Sequence, residues 1–294
     1  KPQDPCAAML WTFVRCNRRP LTAAFSSKVL HETFSVAPGL VLLPSFLAEA
    51  AQDEVFRAAR NLALAVDAAA LTSKRPPVTS PAHNLSTREE YIRVSIPSDK
   101  CDTFPAASRR KNLSCEHFTS YGDGHRLTYF RGNENIPTLR LVDSWLDQLG
   151  SLPWVAQELL AQREQRGRQL DSPAKWRMTL NHYHAIAEST TSPSSGRVGF
   201  PWHRDLEANG AATMILALGA PAVLEFGQKR EAVPTDGLLA ESEREDVESL
   251  AKVVIHPGSL LVLSGAARWD LLHRVAPEKG SAVCERISLV YGCW

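Results

Sequence analysis

The sequence predicts an α+β protein in which a helical N-terminal region covers an antiparallel all-β barrel or double-sheet roll that starts near residue 176. Three observations carry this. Residues 46–71 are alanine-rich, and Leu47, Ala51, Val55, Ala58, Leu62 and Val66 recur near helical spacing. From 176 to the end, short apolar or alternating runs are cut by glycine and proline turns, the pattern of a barrel or roll. Within that region Phe200-Pro-Trp-His-Arg-Asp-Leu206 reads as extended chain. Residues two apart on a strand share a side, so His203 and Asp205 bring an imidazole and a carboxylate to one point.

Bulk properties narrow the function classes. A chain of 294 residues can bury a sizeable core. Its net charge of +1 supplies no global field toward nucleic acid or membrane, so any basic surface is local. The six cysteines form no Cys-x-x-Cys pair and no regular framework, which fits reduced thiols in a reducing compartment. No apolar run is long enough to span a bilayer.

Taken in order, the chain opens on a short polar lead with its first methionine at Met9. Residues 9–30 carry Arg15, Arg18, Arg19 and Lys28 without an acid, interleaved with Trp11, Phe13, Val14 and Leu21. That is the composition of an organelle transit segment, or of a disordered basic tail, and it makes Met9 the expected natural start. A mitochondrial or other organellar address follows from the first reading; otherwise the chain is cytoplasmic or nuclear. Leu40-Val-Leu-Leu43 reads as a strand, and Ser45 is placed to cap the helix after it. Residues 72–115 form a long loop region with one strand at 91–96 and a basic cluster, Arg109-Arg110-Lys111. Residues 117–131 read as a hairpin turning at Gly122-Asp-Gly124. Its rings include Tyr121 and Tyr129, which could stack a base; Arg126 and Arg131 could meet phosphates. The apolar spacing of 138–170 gives one or two helices, broken near Gly150 to Pro153.

Trp176 to Tyr183 is a strand with Arg177, Thr179, Asn181 and Tyr183 on one side. His182 and His184 face away from Tyr183 and read as packing or surface residues. Residues 212–218 and 222–226 are strands, 228–252 a charged solvated loop, and 252–255 and 259–263 a further strand pair. His273 follows, and residues 286–291 close the chain as a strand that puts Arg286 and Ser288 on one face.

The order Asn181-x-Tyr183, His203-x-Asp205, Ala217-Leu-Gly-Ala-Pro-Ala-Val-Leu-Glu-Phe-Gly227, Pro257 to His273 and Arg286-x-Ser288 resembles the AlkB family. These are Fe(II)- and 2-oxoglutarate-dependent dioxygenases on a double-stranded β-helix, a cupin-like jelly roll. The resemblance covers 176–292 well and 38–62 and 117–146 loosely. Composition makes 1–37 a disordered or transit segment, which the resemblance does not reach; the resemblance implies a helical and lid extension at 38–175 and the dioxygenase core at 176–294.

By position it makes His203, Asp205 and His273 the Fe(II) ligands and Arg286 the partner of the distal 2-oxoglutarate carboxylate, with Asn181, Tyr183 and Ser288 beside it. Two histidines and a carboxylate leave open positions for the keto acid and for oxygen. A guanidinium can grip a carboxylate with two parallel hydrogen bonds. The implied activity is oxidative demethylation of alkylated nucleobases in DNA or RNA, with molecular oxygen and supportive ascorbate; a base reaching such a pocket is flipped or single-stranded. Hydroxylation of a protein or small molecule on the same fold, or an inactive binding module, are the alternatives. The family's second arginine, six residues after the first, is Gly292 here, with Arg204 and Arg274 as candidate substitutes.

Overall fold

The computed structural model describes residues 32–33, 38–73, 78–79, 90–96, 113–118, 125–130, 153–168, 176–184, 199–229, 237–238, 246–276 and 285–293. The 9–30 segment, Arg109-Arg110-Lys111, the Gly122-Asp-Gly124 turn, Tyr121, Arg131 and residues 138–152 lie outside them. In chain order the elements are β1 (Glu32–Thr33), β2 (Leu40–Leu43), α1 (Glu49–Thr72), β3 (Val78–Thr79), β4 (Glu90–Ile96), β5 (Leu113–Phe118), β6 (His125–Phe130), α2 (Pro153–Gln165), β7 (Trp176–Tyr183), β8 (Phe200–Arg204), a 3₁₀ turn (Glu207–Asn209), β9 (Ala212–Gly219), β10 (Ala222–Lys229), β11 (Gly237–Leu238), β12 (Val247–Ile255), β13 (Leu260–Leu263), α3 (Gly265–Trp269), β14 (Leu272–Val275) and β15 (Arg286–Cys293).

Two antiparallel sheets face each other. The large one runs β1-β2-β13-β9-β15-β7-β6-β5-β4-β3 and the small one β11-β8-β14-β10-β12. Between β7 and β15 the partners nest: β7 with β15, β8 with β14, β9 with β13, and β10 with β12. Successive nested pairs fall alternately in the large and the small sheet. The core is therefore one antiparallel ribbon wound into a double-stranded β-helix, a jelly roll. Apolar inward residues fill the space between the sheets, among them Ile215, Ala217, Leu224, Phe226, Leu261 and Leu263.

The N-terminal region does more than lay helices on this core. Strand β2 adds to the edge beside β13, and β3 to β6 extend the same sheet beyond β7. Helix α1 packs Val55, Ala59, Leu62, Ala63 and Val66 against Met178, Leu180, Ile287 and Leu289 on the outer face of the large sheet. Its small residues let the helix sit close, while Val55, Leu62 and Val66 each contribute on the order of 2 kcal/mol by burial.

Three local expectations change. Ser45 does not cap α1: it sits at φ 55°, and the helix begins after Ala48 without a side-chain cap bond. The charged stretch at 228–252 is partly strand, because β10 runs on to Lys229 and pairs with β12 from Val247. Glu248 and Lys252 stay in solvent because β12 is an edge strand with one wet face. The break near Gly150 to Pro153 resolves at its end, with Pro153 starting α2, where a missing N–H costs nothing.

Candidate active site

The cavity opens between the two sheets. His203 comes from β8, Asp205 from the residue after that strand, and His273 from β14. Strand pairing sets His273 directly across from His203. Their rings lie 4.1 Å apart, centroid to centroid. His203 Nε2 is 4.0 Å from Asp205 Oδ1, and His273 Nε2 is 3.9 Å from Asp205 Oδ2. The expected triad is thus one cluster, with one donor atom from each residue.

The side chains are set up as ligands. His203 Nδ1–H donates to the Pro201 carbonyl at 2.9 Å, which leaves Nε2 with a lone pair facing Asp205. Asp205 Oδ2 and His273 Nδ1 are buried without a hydrogen-bond partner among the described residues. Burial depresses both imidazoles, His273 to about 3, so they stand neutral. Burial pushes the Asp205 carboxyl up, but His273, the Arg268 guanidinium and His203 outweigh it and hold the group below its ordinary value. Two neutral imidazoles and an ionised carboxylate suit a divalent metal, and the set fits Fe(II) with positions left open.

Arg268 was not singled out from sequence. It is 1% exposed and donates from Nη1 to Asp205 O at 2.9 Å and from Nη2 to Leu206 O at 2.6 Å. It thereby pins the chain on which Asp205 hangs. Its guanidinium stacks on Trp269 at 4.3 Å, where Arg166 also stacks at 4.0 Å. The available signal was an arginine in the turn before His273, between apolar strands.

The second group of predicted residues lines the same cavity. Asn181, Tyr183, Arg286 and Ser288 all face it, because β7 and β15 pair Arg286 with Tyr183 and Ser288 with Asn181. Arg286 stacks over the Tyr183 ring at 3.8 Å. Burial raises the Tyr183 phenol, opposed by Arg286 and by a hydrogen bond with Ser288, so it stays a neutral hydroxyl. His125, also missed from sequence, bonds Asn181 Oδ1 through Nε2 at 3.3 Å. It is wholly buried, and desolvation takes it down to about 3. It therefore serves as a neutral donor to Asn181.

The substrate residues separate. Tyr129 lines the cavity with Leu127 and Phe200. Arg126 does not: alternation along β6 turns it to the α1 side, where its charge acts on Asp67 and His184. Arg204 lines the cavity and donates to Asp270 O at 3.3 Å. Arg274 instead pairs with Glu225 at 2.5 Å and stacks over Trp202 at 4.6 Å, away from the cavity lining.

Gly292 has a steric reason. A Cβ there would meet Asn209 O at 1.6 Å, so the 3₁₀ turn after Asp205 packs directly on β15. No arginine can occupy that position while the turn stays in place.

No family model and no curated protein matches the chain. Solved structures superpose on most of it at low identity. One is that of OsALKBH1, at 14% identity over 87% of this chain and 98% of that one, TM-score 0.39. Another is the dioxygenase for auxin oxidation in rice, at 16% identity over 86% and 72%, TM-score 0.36. A third is the non-haem α-ketoglutarate-dependent epimerase SnoN from nogalamycin biosynthesis, at 13% identity over 86% and 77%, TM-score 0.36. In its wound ribbon, its triad and its cavity arginine the chain resembles the AlkB-like Fe(II)- and 2-oxoglutarate-dependent oxygenases.

Proposed function

We propose that the protein is an Fe(II)- and 2-oxoglutarate-dependent dioxygenase of the AlkB-like type that oxidatively demethylates an alkylated nucleobase in DNA or RNA. The observation that carries the oxygenase reading is the placement of the triad and Arg286 in one cavity. His203, Asp205 and His273 would hold the metal, which when bound couples decarboxylation of the keto acid by oxygen to oxidation of a substrate C–H bond. Arg286 would grip the distal carboxylate, with the Tyr183 hydroxyl and Ser288 alongside. Ile215, Leu224, Ile255 and Val275 keep the lining largely apolar, which excludes water from the reacting centre. Tyr129 offers a ring on which a base can stack, a contact worth about 1–3 kcal/mol.

A second reading, hydroxylation of a protein side chain or small molecule, has one observation in its favour. Arg204 and Arg286 are the cations among the lining residues, so the described wall offers little to a phosphate chain. One assay separates the readings: succinate release under air with Fe(II), 2-oxoglutarate and ascorbate, run alone and with single-stranded N-methylated DNA or RNA. Stimulation by one polymer together with formaldehyde release supports demethylation and names the polymer. Turnover that no nucleic acid stimulates moves the substrate to the second reading. Bound iron without turnover overturns the oxygenase assignment.

A further inference from the structure

On the other side of the large sheet, α1 and the end of β7 bring together a second group of ligand-type residues. Asp67 comes from α1, His182 from β7, and His184 from just beyond it. One donor atom of each lies within 4.8 Å of the others. The same alternation that turns Asn181 and Tyr183 into the cavity turns these histidines outward. The cluster takes no part in the reaction proposed above.

Two of these side chains, His182 and Asp67, are oriented by a neighbour that leaves one donor atom over. His182 donates Nε2–H to Glu285 Oε1 at 2.7 Å, and Glu285 is held in turn by Arg60 at 2.8 Å. With Nε2 engaged by Glu285, the Nδ1 of His182 is left over, and that atom is buried without a hydrogen-bond partner among the described residues in a residue 1% exposed. His117 Nε2 lies 3.1 Å from Asp67 Oδ1, while its Nδ1 meets Thr128 Oγ1 at 3.1 Å. Asp67 is therefore fixed through one oxygen, and Oδ2 stands 3.9 Å from His184 Nε2. That nitrogen too is buried without a hydrogen-bond partner among the described residues. The imidazoles of His182 and His184 sit 3.8 Å apart, centroid to centroid, and among the described residues no group hydrogen-bonds to either of those two nitrogens.

We propose that Asp67, His182 and His184 form a second divalent-metal site, of the zinc class, that fastens α1 to the large sheet. The chemistry favours that class. Two imidazole nitrogens and one carboxylate oxygen are the usual donors for Zn²⁺ and its neighbours Co²⁺ and Ni²⁺, whereas Ca²⁺ and Mg²⁺ take oxygen donors. Carboxylates on the remote atoms of ligating histidines, as Glu285 is on His182, are the normal outer shell of such sites. The side chains of Asp67 and His184 are 24% and 32% exposed, so an ion reaches them from solvent and water completes its coordination. The site does not depend on the oxygenase reading.

The test removes the cavity triad first. Metal-free full-length protein carrying Asp205→Ala is titrated with Co²⁺ and Zn²⁺ against a chelating indicator, and with His184→Gln added to the same background. His184 is partly exposed, so the second change leaves the fold intact, checked by circular dichroism. The expected stoichiometry is two ions for the native chain, one for Asp205→Ala and none for the double variant. The single variant should also show visible Co²⁺ bands and a Zn²⁺-dependent rise in melting temperature, both lost with His184→Gln. His256→Gln, on an exposed turn, should leave the count at one. An Asp205→Ala chain that binds no ion, or binding and melting unmoved by His184→Gln, overturns the proposal.

Discussion

Placing an alanine or an arginine at Gly292 should damage the site from the far end of β15, on the face that Arg286 and Ser288 share. Gly292 pairs with Thr213 on β9 and Arg177 on β7, in the middle of the large sheet, so its backbone cannot move aside. A Cβ would lie 1.6 Å from Asn209 O, where ordinary contact begins at 3.4 Å. The 3₁₀ turn must then retreat by about 2 Å, against the hydrogen bond that ties Ala211 N to Cys293 O at 2.7 Å. We expect a cost of about 3 kcal/mol, the upper end of overpacking penalties. For a chain of this size that lowers the melting temperature by roughly 6–12 °C. Because Leu206 and Asn209 line the cavity and Asp205 directly precedes them, metal affinity should fall as well. Thermal denaturation and a competitive metal titration on Gly292→Ala measure both. Gly292→Arg should be at least as damaging. A Gly292→Ala chain that melts with the native one would refute the packing argument. Tighter 2-oxoglutarate binding by Gly292→Arg would show that the position can still take the family's arginine.

His203→Ala and Asp205→Ala should each abolish succinate formation and cut metal binding in the cavity; full turnover by Asp205→Ala would sink the triad. Arg286→Ala should raise the 2-oxoglutarate requirement at least tenfold, the loss of a charge-assisted pair, while metal binding persists. Arg268→Ala should weaken metal binding without touching the metal, since it strips two donors from Asp205 O and Leu206 O; added guanidinium should restore part of it. His125 sets a pH dependence. Its folded value of about 3 lies below the ordinary 6.5, so the unfolded chain binds the extra proton and stability is lost as pH falls through that window. By pH 5 the loss from this group is about 2 kcal/mol, and the stability gap between native and His125→Gln, measured by urea unfolding, should shrink accordingly.

The cavity triad was readable because period-two spacing survives any fold: His203 and Asp205 face together wherever 200–206 is extended. His273 and Arg286 needed the order of motifs as a whole, since no local spacing links β14 to β8. Helix α1 followed from apolar periodicity and the β5–β6 hairpin from its Gly122-Asp-Gly124 turn signal, while β4 was read as the one strand in a loop region. Arg268 was not legible, because a buried arginine is recognised by the carbonyls it satisfies and those lie 62 and 63 residues away. Nor was the strand character of residues 247–252, where pairing with β10 holds a sequence rich in exposed polar residues that alone reads as a loop. Gly292 looked like a missing arginine; only the approach of Asn209 shows why a side chain is excluded.

The same alternation explains where the neighbours of the cavity residues fall. His182 turns away from the cavity as its spacing predicts, and Arg126, read from sequence as a phosphate contact, turns away as well although the adjacent Leu127 lines the cavity. On a strand buried on both sides, adjacent residues serve different surroundings, and the pairing of Arg126 with His182 across β6 and β7 puts both on the α1 side. Their surroundings are His184, just beyond β7, and Asp67 and Glu285, which elements distant in sequence contribute. Swapping His182 for an apolar residue should therefore leave the keto-acid subsite in place and loosen α1, whereas the same swap at Tyr183, one position on, should do the reverse. Limited proteolysis near Ser73, at the end of α1, against 2-oxoglutarate affinity distinguishes the two outcomes.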